Sequence, residues 1–392
     1  MTQQAPYSFF ITTSKGLEEC LAEELKTLGA PATLSHFQGG ISCEGTLEMA
    51  YRFCLWSRIA NRVLLFLKAF DAYTPEALYA GIESIDWSDH MTEDSSFCVD
   101  FNLSSSQITH SHYAALKVKD AIVDQFRAKF GARPTVDTFH PDVRINVYLY
   151  HNEAHVSIDL AGESLHKRGY RDQSGGDAPL KENLAAGILQ LTGFNADAPA
   201  LVDPMCGSGT LGVEAGWIVQ KRAPALNRKY FGFQGWQGHV PSLWRRLVEE
   251  ANDILIRNPN HCPRIQCYDH NPKMVALATL NAKKAALEGI VHFSQQEFSD
   301  CTPIAEQGIL VINPPYGERL GDEETLKDLY RLMGDRFKQQ FPGWTAYVLA
   351  GNLELAKAIH LKPTRRFVLF NGPIECRLLK YEMYQGSGRK TS

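Results

Sequence analysis

Apolar positions recur along this chain with two periods, and the way the two alternate changes near residue 170. Ser8–Thr12 reads as a short strand, and Leu17, Leu21, Leu25 and Leu28 follow at helical spacing until Gly29; that interval lines one face of a helix. A second helix is predicted over Ala114–Phe130, where Val118, Ile122, Phe126 and Phe130 align before Gly131. Next, Val143, Ile145, Val147 and Leu149 alternate with polar residues, and Val156, Ile158 and Leu160 repeat the alternation beyond His151-Asn152-Glu153. That is a hairpin with one buried face. These pieces make an α+β module ending near residue 160.

From residue 179 onward helices alternate with short apolar strands, the pattern of a doubly wound, mostly parallel sheet. Phe367–Asn371 and Glu375–Met383, around Gly372-Pro373, suit an antiparallel hairpin closing that sheet. Between its first two strands lies an insertion, about 221–262, whose Phe231, Phe233 and Trp236 read as packing residues, with an RNA-stacking platform as the alternative. Gln385–Ser392 reads as a frayed tail.

Composition narrows the class. A chain of 392 residues should form two or three domains. It opens Met-Thr-Gln-Gln-Ala-Pro and holds no apolar run approaching 18 residues, so a cytoplasmic protein that neither spans a membrane nor is exported is expected. The nine cysteines form no C-x2-C pair and read as reduced thiols. His110 and His112 lack carboxylate or cysteine companions, so no metal is expected.

Chemistry concentrates at two strand ends. The apolar strand Gly308–Ile312 runs directly into Asn313-Pro314-Pro315-Tyr316. The lone pair of an exocyclic or amide nitrogen is conjugated into its π system, so such a nitrogen attacks poorly until acceptors engage its hydrogens. The Asn313 side chain and the Pro314 carbonyl would supply two, since Pro315 forces residue 314 into an extended conformation. Tyr316 would stack the base, worth about 1–3 kcal/mol. Asn313, Pro314 and Tyr316 are therefore the candidate catalytic residues, set against the alternative of a plain strand-ending turn.

The second strand end is Pro199–Asp203 followed by Pro204-Met205-Cys206-Gly207-Ser208-Gly209-Thr210 and an apolar helix. Glycines there permit close backbone approach to a nucleotide-like ligand. Met205 replaces the first glycine of a dinucleotide fingerprint, and no acid follows about 20 residues on. The next strand-end acid is Asp269, placed to grip a ribose diol or else to cap the helix from Pro272. S-adenosyl-L-methionine has the diol and no pyrophosphate, leaving Asp203 to face its cationic end. The candidate cofactor residues are thus Asp203, Pro204, Met205, Cys206, Gly207, Ser208, Gly209, Thr210, Asp269, His270, Glu297 and Asn313, with Glu297 meeting the adenine. Cys206 as a nucleophile for base C5 methylation is rejected, because such enzymes need a cysteine near the Pro-Pro strand.

The order of these strands resembles that of class I S-adenosylmethionine-dependent methyltransferases. Upstream, Asp159-Leu-Ala-Gly-Glu-Ser-Leu-His-Lys-Arg-Gly-Tyr-Arg171 and Ala178-Pro-Leu-Lys-Glu-Asn-Leu-Ala-Ala186 resemble the stretch joining a THUMP domain to the catalytic domain in bacterial 23S rRNA guanine-N2 methyltransferases. The similarity runs from Gly16-Leu-Glu-Glu19 to Gly372-Pro373. It implies a Rossmann-like catalytic domain, methylation of guanine N2, and 23S rRNA or the assembling large ribosomal subunit as partner. It also implies a ferredoxin-like part over residues 1–45, a THUMP RNA-binding domain over 46–160, a joining segment over 161–178, the methyltransferase domain over 179–385 and a tail over 386–392. Some members carry a second fused methyltransferase domain, and with an end at Ser392 a single-activity form is expected.

Charge complicates RNA binding, because the net formal charge is −4. Residues 1–160 hold 12 Lys/Arg against 20 Asp/Glu, and residues 161–392 hold 28 against 24. Phosphate contact needs only local positive charge, so Lys167, Arg168 and Arg171 in the joining segment are the candidate RNA-binding residues; the bland alternative is that the arginines pin the linker. Other readings remain open: methylation of adenine N6 or of a protein glutamine, which pose the same lone-pair problem, or a non-catalytic RNA-binding assembly factor.

Overall fold

A computed structural model describes residues 6–171, 180–257, 262–315 and 323–384. Among them the segments up to Thr13, Leu21–Lys167 and Arg228–Glu250 cluster as one compact unit, and Ser14–Cys20, Arg168–Asn227 and the part from Ala251 onward as another.

The first unit is built on an eight-stranded sheet of β1 (Tyr7–Thr12), β2 (Ser35–Phe37), β3 (Gly40–Gly45), β4 (Arg62–Asp71), β5 (Ser96–Ser104), β6 (Thr135–Val136), β7 (Val143–Tyr150) and β8 (Glu153–Asp159), in the order β2-β3-β1-β4-β8-β7-β5-β6. β4 pairs with β1 and with β8, so one sheet continues through the whole front module. The alternation along β7 buries Val143, Ile145, Val147 and Leu149. Its hairpin to β8 turns through His151 and Asn152, both with positive φ, the twist a two-residue hairpin loop requires. Helix Ser111–Phe130 ends, as its sequence suggests, at Gly131 with φ 72°.

The insertion aromatics belong to this unit. The Phe233 ring lies 4.3 Å from Tyr51 and 4.9 Å from Trp244, and Phe231, Phe233 and Trp236 are all buried. The packing reading therefore holds. By contact, 228–250 clusters with the first unit, whose core its apolar face completes. Arg228, one of the basic residues of the insertion, spends its guanidinium on four backbone carbonyls, those of Ala161, Glu163, Ser164 and Lys167.

In the second unit β9 (Ala200–Asp203), β10 (Arg264–Asp269), β11 (Val291–Gln295), β12 (Ile309–Ile312), β13 (Thr345–Ala350), β14 (Arg365–Asn371) and β15 (Ile374–Glu382) form a sheet ordered β11-β10-β9-β12-β13-β15-β14. The first five are parallel, and β15 runs antiparallel to both its neighbours, so the expected closing hairpin is present. Against one face pack Tyr330, Met333 and Phe337 of helix Glu323–Gln340, with Phe341 just beyond its end, over Val202, Leu310, Ile312 and Val348. Parallel strands buried on both faces explain why their sequences are continuous apolar runs. The tail from Gln385 lies outside the described residues.

Candidate active site

Because β9, β10, β11 and β12 are parallel and adjacent, their carboxyl ends bring Asp203, Asp269, Glu297 and Asn313 to one end of the sheet. Ligands of open α/β sheets bind at that end, where the strand order reverses, here between β9 and β12.

The loop after β9 is stitched to its own acids. Met205 N donates to Asp203 Oδ1 at 3.2 Å, Gly207 N to Asp269 Oδ2 at 2.9 Å, Cys206 N to Tyr268 O at 2.8 Å and Gly209 N to Cys206 O at 2.8 Å. Asn281 Nδ2 holds Ser208 O from below at 3.0 Å. Gly207 and Gly209 take φ 52° and 83°. At Gly209 a Cβ would also press into Phe293 and Ala278, whereas at Gly207 it would meet nothing within 4 Å. Helix Thr210–Val219 starts directly from Gly209.

These contacts decide what the loop can hold. Four of its amides are already committed internally, and two buried acids stand beside it, so a pyrophosphate would meet acidic groups rather than free donors. A ligand with a diol and a cationic end fits. Asp203 is 1% exposed, and burial, with the Asp269 carboxylate close by, pushes its pKa up to about 8; a neighbouring cation would relieve that. Asp269 does not cap the following helix. Asn271 does, accepting from Lys273 N at 3.0 Å, while Asp269 Oδ1 accepts from Asn271 N at 2.9 Å. His270 and Glu297 are exposed at this rim, and Gln296 N donates to Asp269 O at 3.1 Å, setting Glu297 next to the Asp269 corner. Burial and both carboxylates push the Cys206 thiol up, so it supplies no thiolate near neutrality.

At the end of β12, Asn313 Oδ1 is buried and has no hydrogen-bond partner among the described residues. An unpaired buried acceptor costs about 1–3 kcal/mol, which a donor brought by a substrate would recover. Pro314 is buried and Pro315 half-buried, while Tyr316 lies outside the described residues.

The joining segment departs from expectation. Arg168 is 1% exposed and its Nε donates to Glu214 Oε1 at 3.3 Å, with both side chains sealed from solvent. It cannot reach RNA phosphates, and its assignment as an RNA contact is corrected. Arg171 faces Glu182 at 3.2 Å and hydrogen-bonds Thr210, the first residue of the helix after the glycine loop; it too is turned to protein groups. Tyr170 is buried between them, edge-on to Trp217. Of the three, Lys167 alone is exposed, paired with Glu163 at 3.1 Å. The signal in the sequence is a lone acid in each facing apolar helix, Glu182 and Glu214, since such acids are rarely buried unless paired. Residues 172–179 lie outside the described residues. Among the described residues no cluster of metal-ligating side chains forms and no helix is long and apolar enough to cross a membrane.

A sheet ordered in this way, with a glycine loop after its central strand and Asn-Pro-Pro after the next, defines a class I S-adenosylmethionine-dependent methyltransferase fold. Family models match in sequence: an RlmL ferredoxin-like domain over residues 8–64, a THUMP domain over 72–159, and an RMKL-like methyltransferase domain over 168–380. The chain belongs to the RMKL-like methyltransferase family. It is 45% identical, over 97% of its length, to 54% of the ribosomal RNA large subunit methyltransferase K/L of Syntrophotalea carbinolica; the chain spans about half the length of the curated relatives it matches. Two solved structures match it nearly end to end. A candidate methyltransferase complexed with SAH is 30% identical with TM-score 0.88, covering 98% of this chain and 100% of that one. A candidate N6-adenine-specific DNA methylase from Listeria monocytogenes is 31% identical with TM-score 0.85, covering 97% of each.

Proposed function

We propose that this chain transfers a methyl group from S-adenosyl-L-methionine to the exocyclic N2 of a guanine in 23S rRNA. The observation that carries the chemistry is the buried Asn313 Oδ1 at the carboxyl end of β12, which has no hydrogen-bond partner among the described residues. It is an acceptor awaiting an amino group. The substrate class is supported by the THUMP match and by the names of the relatives.

Asp269 would receive the ribose hydroxyls and Asp203 the cationic end of the methyl donor, whose sulfonium supplies an electrophilic methyl group. Asn313 and the Pro314 carbonyl accept the hydrogens of the base NH2 and orient it, which draws the nitrogen lone pair out of the π conjugation and points it at the methyl. The N–C bond forms as the C–S bond breaks, and the proton then leaves the methylated nitrogen, acidic only at that stage, for water. No strong base is needed, and Asn313 acts by holding an N–H as charge develops. The base must be unpaired or flipped, at a cost of a few kcal/mol.

Mass spectrometry of nucleosides from 23S rRNA methylated by the purified chain tests the reading. N2-methylguanosine is expected. N6-methyladenosine would move the substrate to adenine, and no methylation of RNA would overturn the proposal.

A further inference from the structure

Residues Ser14–Cys20 come from the front of the sequence yet belong to the catalytic unit. Gly16 takes φ 92°, and a Cβ there would overlap the Val368 carbonyl oxygen of β14, so only glycine permits the approach. Leu17 is fully buried against Gly187, Asn183 Nδ2 donates to Ser14 Oγ at 3.3 Å, and Gln190 Nε2 donates to Cys20 O at 3.2 Å. The turn is fixed on both sides, and it carries one exposed cation. Lys15 Nζ stands 4.6 Å from the centroid of the Phe370 ring and makes no ion pair among the described residues.

Strand register gives its location. β13 runs parallel to β12, Ala350 of β13 faces Arg377 of β15, and Arg377 faces Val368 of β14. Phe370 and Lys15 are therefore at the same end of the sheet as Asn313. Three strand spacings, about 14 Å, separate β12 from β14, a span of a few nucleotides of single strand. Arg366 shares the face of β14 that carries Val368 and Phe370, is exposed, and also makes no ion pair among the described residues.

We propose that Lys15 and Arg366 form a phosphate-gripping rim of the catalytic unit, holding the backbone of the RNA strand whose target base is engaged at Asn313. The proposal rests on the RNA methyltransferase reading above. A compact ammonium held over a ring keeps its charge available while losing little freedom on contact. The acidic balance of residues 1–160 then ceases to be an obstacle, because these cations stand on the catalytic unit.

The test uses the full chain and an unmodified 23S rRNA transcript. RNA affinity is measured across a salt series for wild type, Lys15→Ala, Lys15→Arg, Arg366→Ala and the Lys15→Ala/Arg366→Ala double variant, with SAH affinity and melting temperature as controls. Each alanine should flatten the log–log salt slope by about 0.7, the double by about 1.4, and Lys15→Arg should restore it, with both controls unchanged. Wild-type slope in the double variant, while wild type binds and methylates RNA, would overturn this proposal alone. Loss of SAH binding together with melting temperature would overturn it in favour of a structural role for Lys15. A wild-type chain that binds no RNA would sink both this proposal and the reading beneath it.

Discussion

Gly207 donates its amide to the Asp269 carboxylate at 2.9 Å, so the acid at the end of one strand fixes the loop that grows from its neighbour. Asp269 thus has two tasks, shaping the loop and offering its remaining lone pairs to a diol. Asp269→Ala should weaken SAH binding at least about tenfold, since a charge-assisted hydrogen bond is worth about 1.5–3 kcal/mol. Asn313→Ala should leave that binding within about twofold. Titration calorimetry on both variants checks the ranking, and the reverse order would refute the cofactor assignment.

Asn313 should matter to turnover instead. Removing one preorganised polar group that acts as charge develops lowers the rate about 10²–10³-fold. Single-turnover methylation of RNA by Asn313→Ala, at saturating donor, measures this directly. A rate near wild type would end the proposed role.

Asp203 gives a pH signature. Its folded pKa, raised to about 8 from 3.8, means the free protein binds a proton there that the unfolded chain has released. That contribution to stability is complete below about pH 4 and is lost as pH rises through 8. A cation bound beside Asp203 favours the carboxylate, so ligand uptake near pH 7 should expel a proton and affinity should climb with pH. Calorimetry in buffers of different ionisation heat reads the expelled proton, and Asp203→Asn should abolish it.

Arg168 and Glu214 are sealed together at 3.3 Å. Arg168→Met alone strands a buried carboxylate and should destabilise by about 3–5 kcal/mol, whereas Arg168→Met with Glu214→Leu should recover most of that loss. Urea melts of the three proteins supply the cycle. A changed RNA salt slope in the folded double variant would restore Arg168 to the RNA surface.

Elements with strong periodicity were legible in the sequence: the helix ended by Gly131, the hairpin around His151 and Asn152, and the alternating catalytic half. So were the strand-end positions of Asp203, Asp269 and Asn313, because a strand's carboxyl end is marked by the residue where its apolar run stops. What stayed hidden were partnerships across long separations. Lysine and arginine look alike in a sequence whether solvated or buried, so Arg168 and Arg171 read as RNA contacts there, although Glu214 and Glu182 stand opposite them in the fold. Likewise the aromatics of the insertion could be recognised as packing residues, but not assigned to the core they fill.

The seating of Gly16 on Val368 also sets a schedule for the nascent chain. The turn is made some 350 residues before its docking strand. At about 5–20 residues per second, Leu17 waits roughly 20–70 s for β14. During that interval an apolar side chain destined for complete burial has only part of its final surroundings. The catalytic unit is therefore finished by its oldest residues meeting some of its newest, and a ribosome stalled before residue 368 would hold a nascent methyltransferase that is still open at that edge.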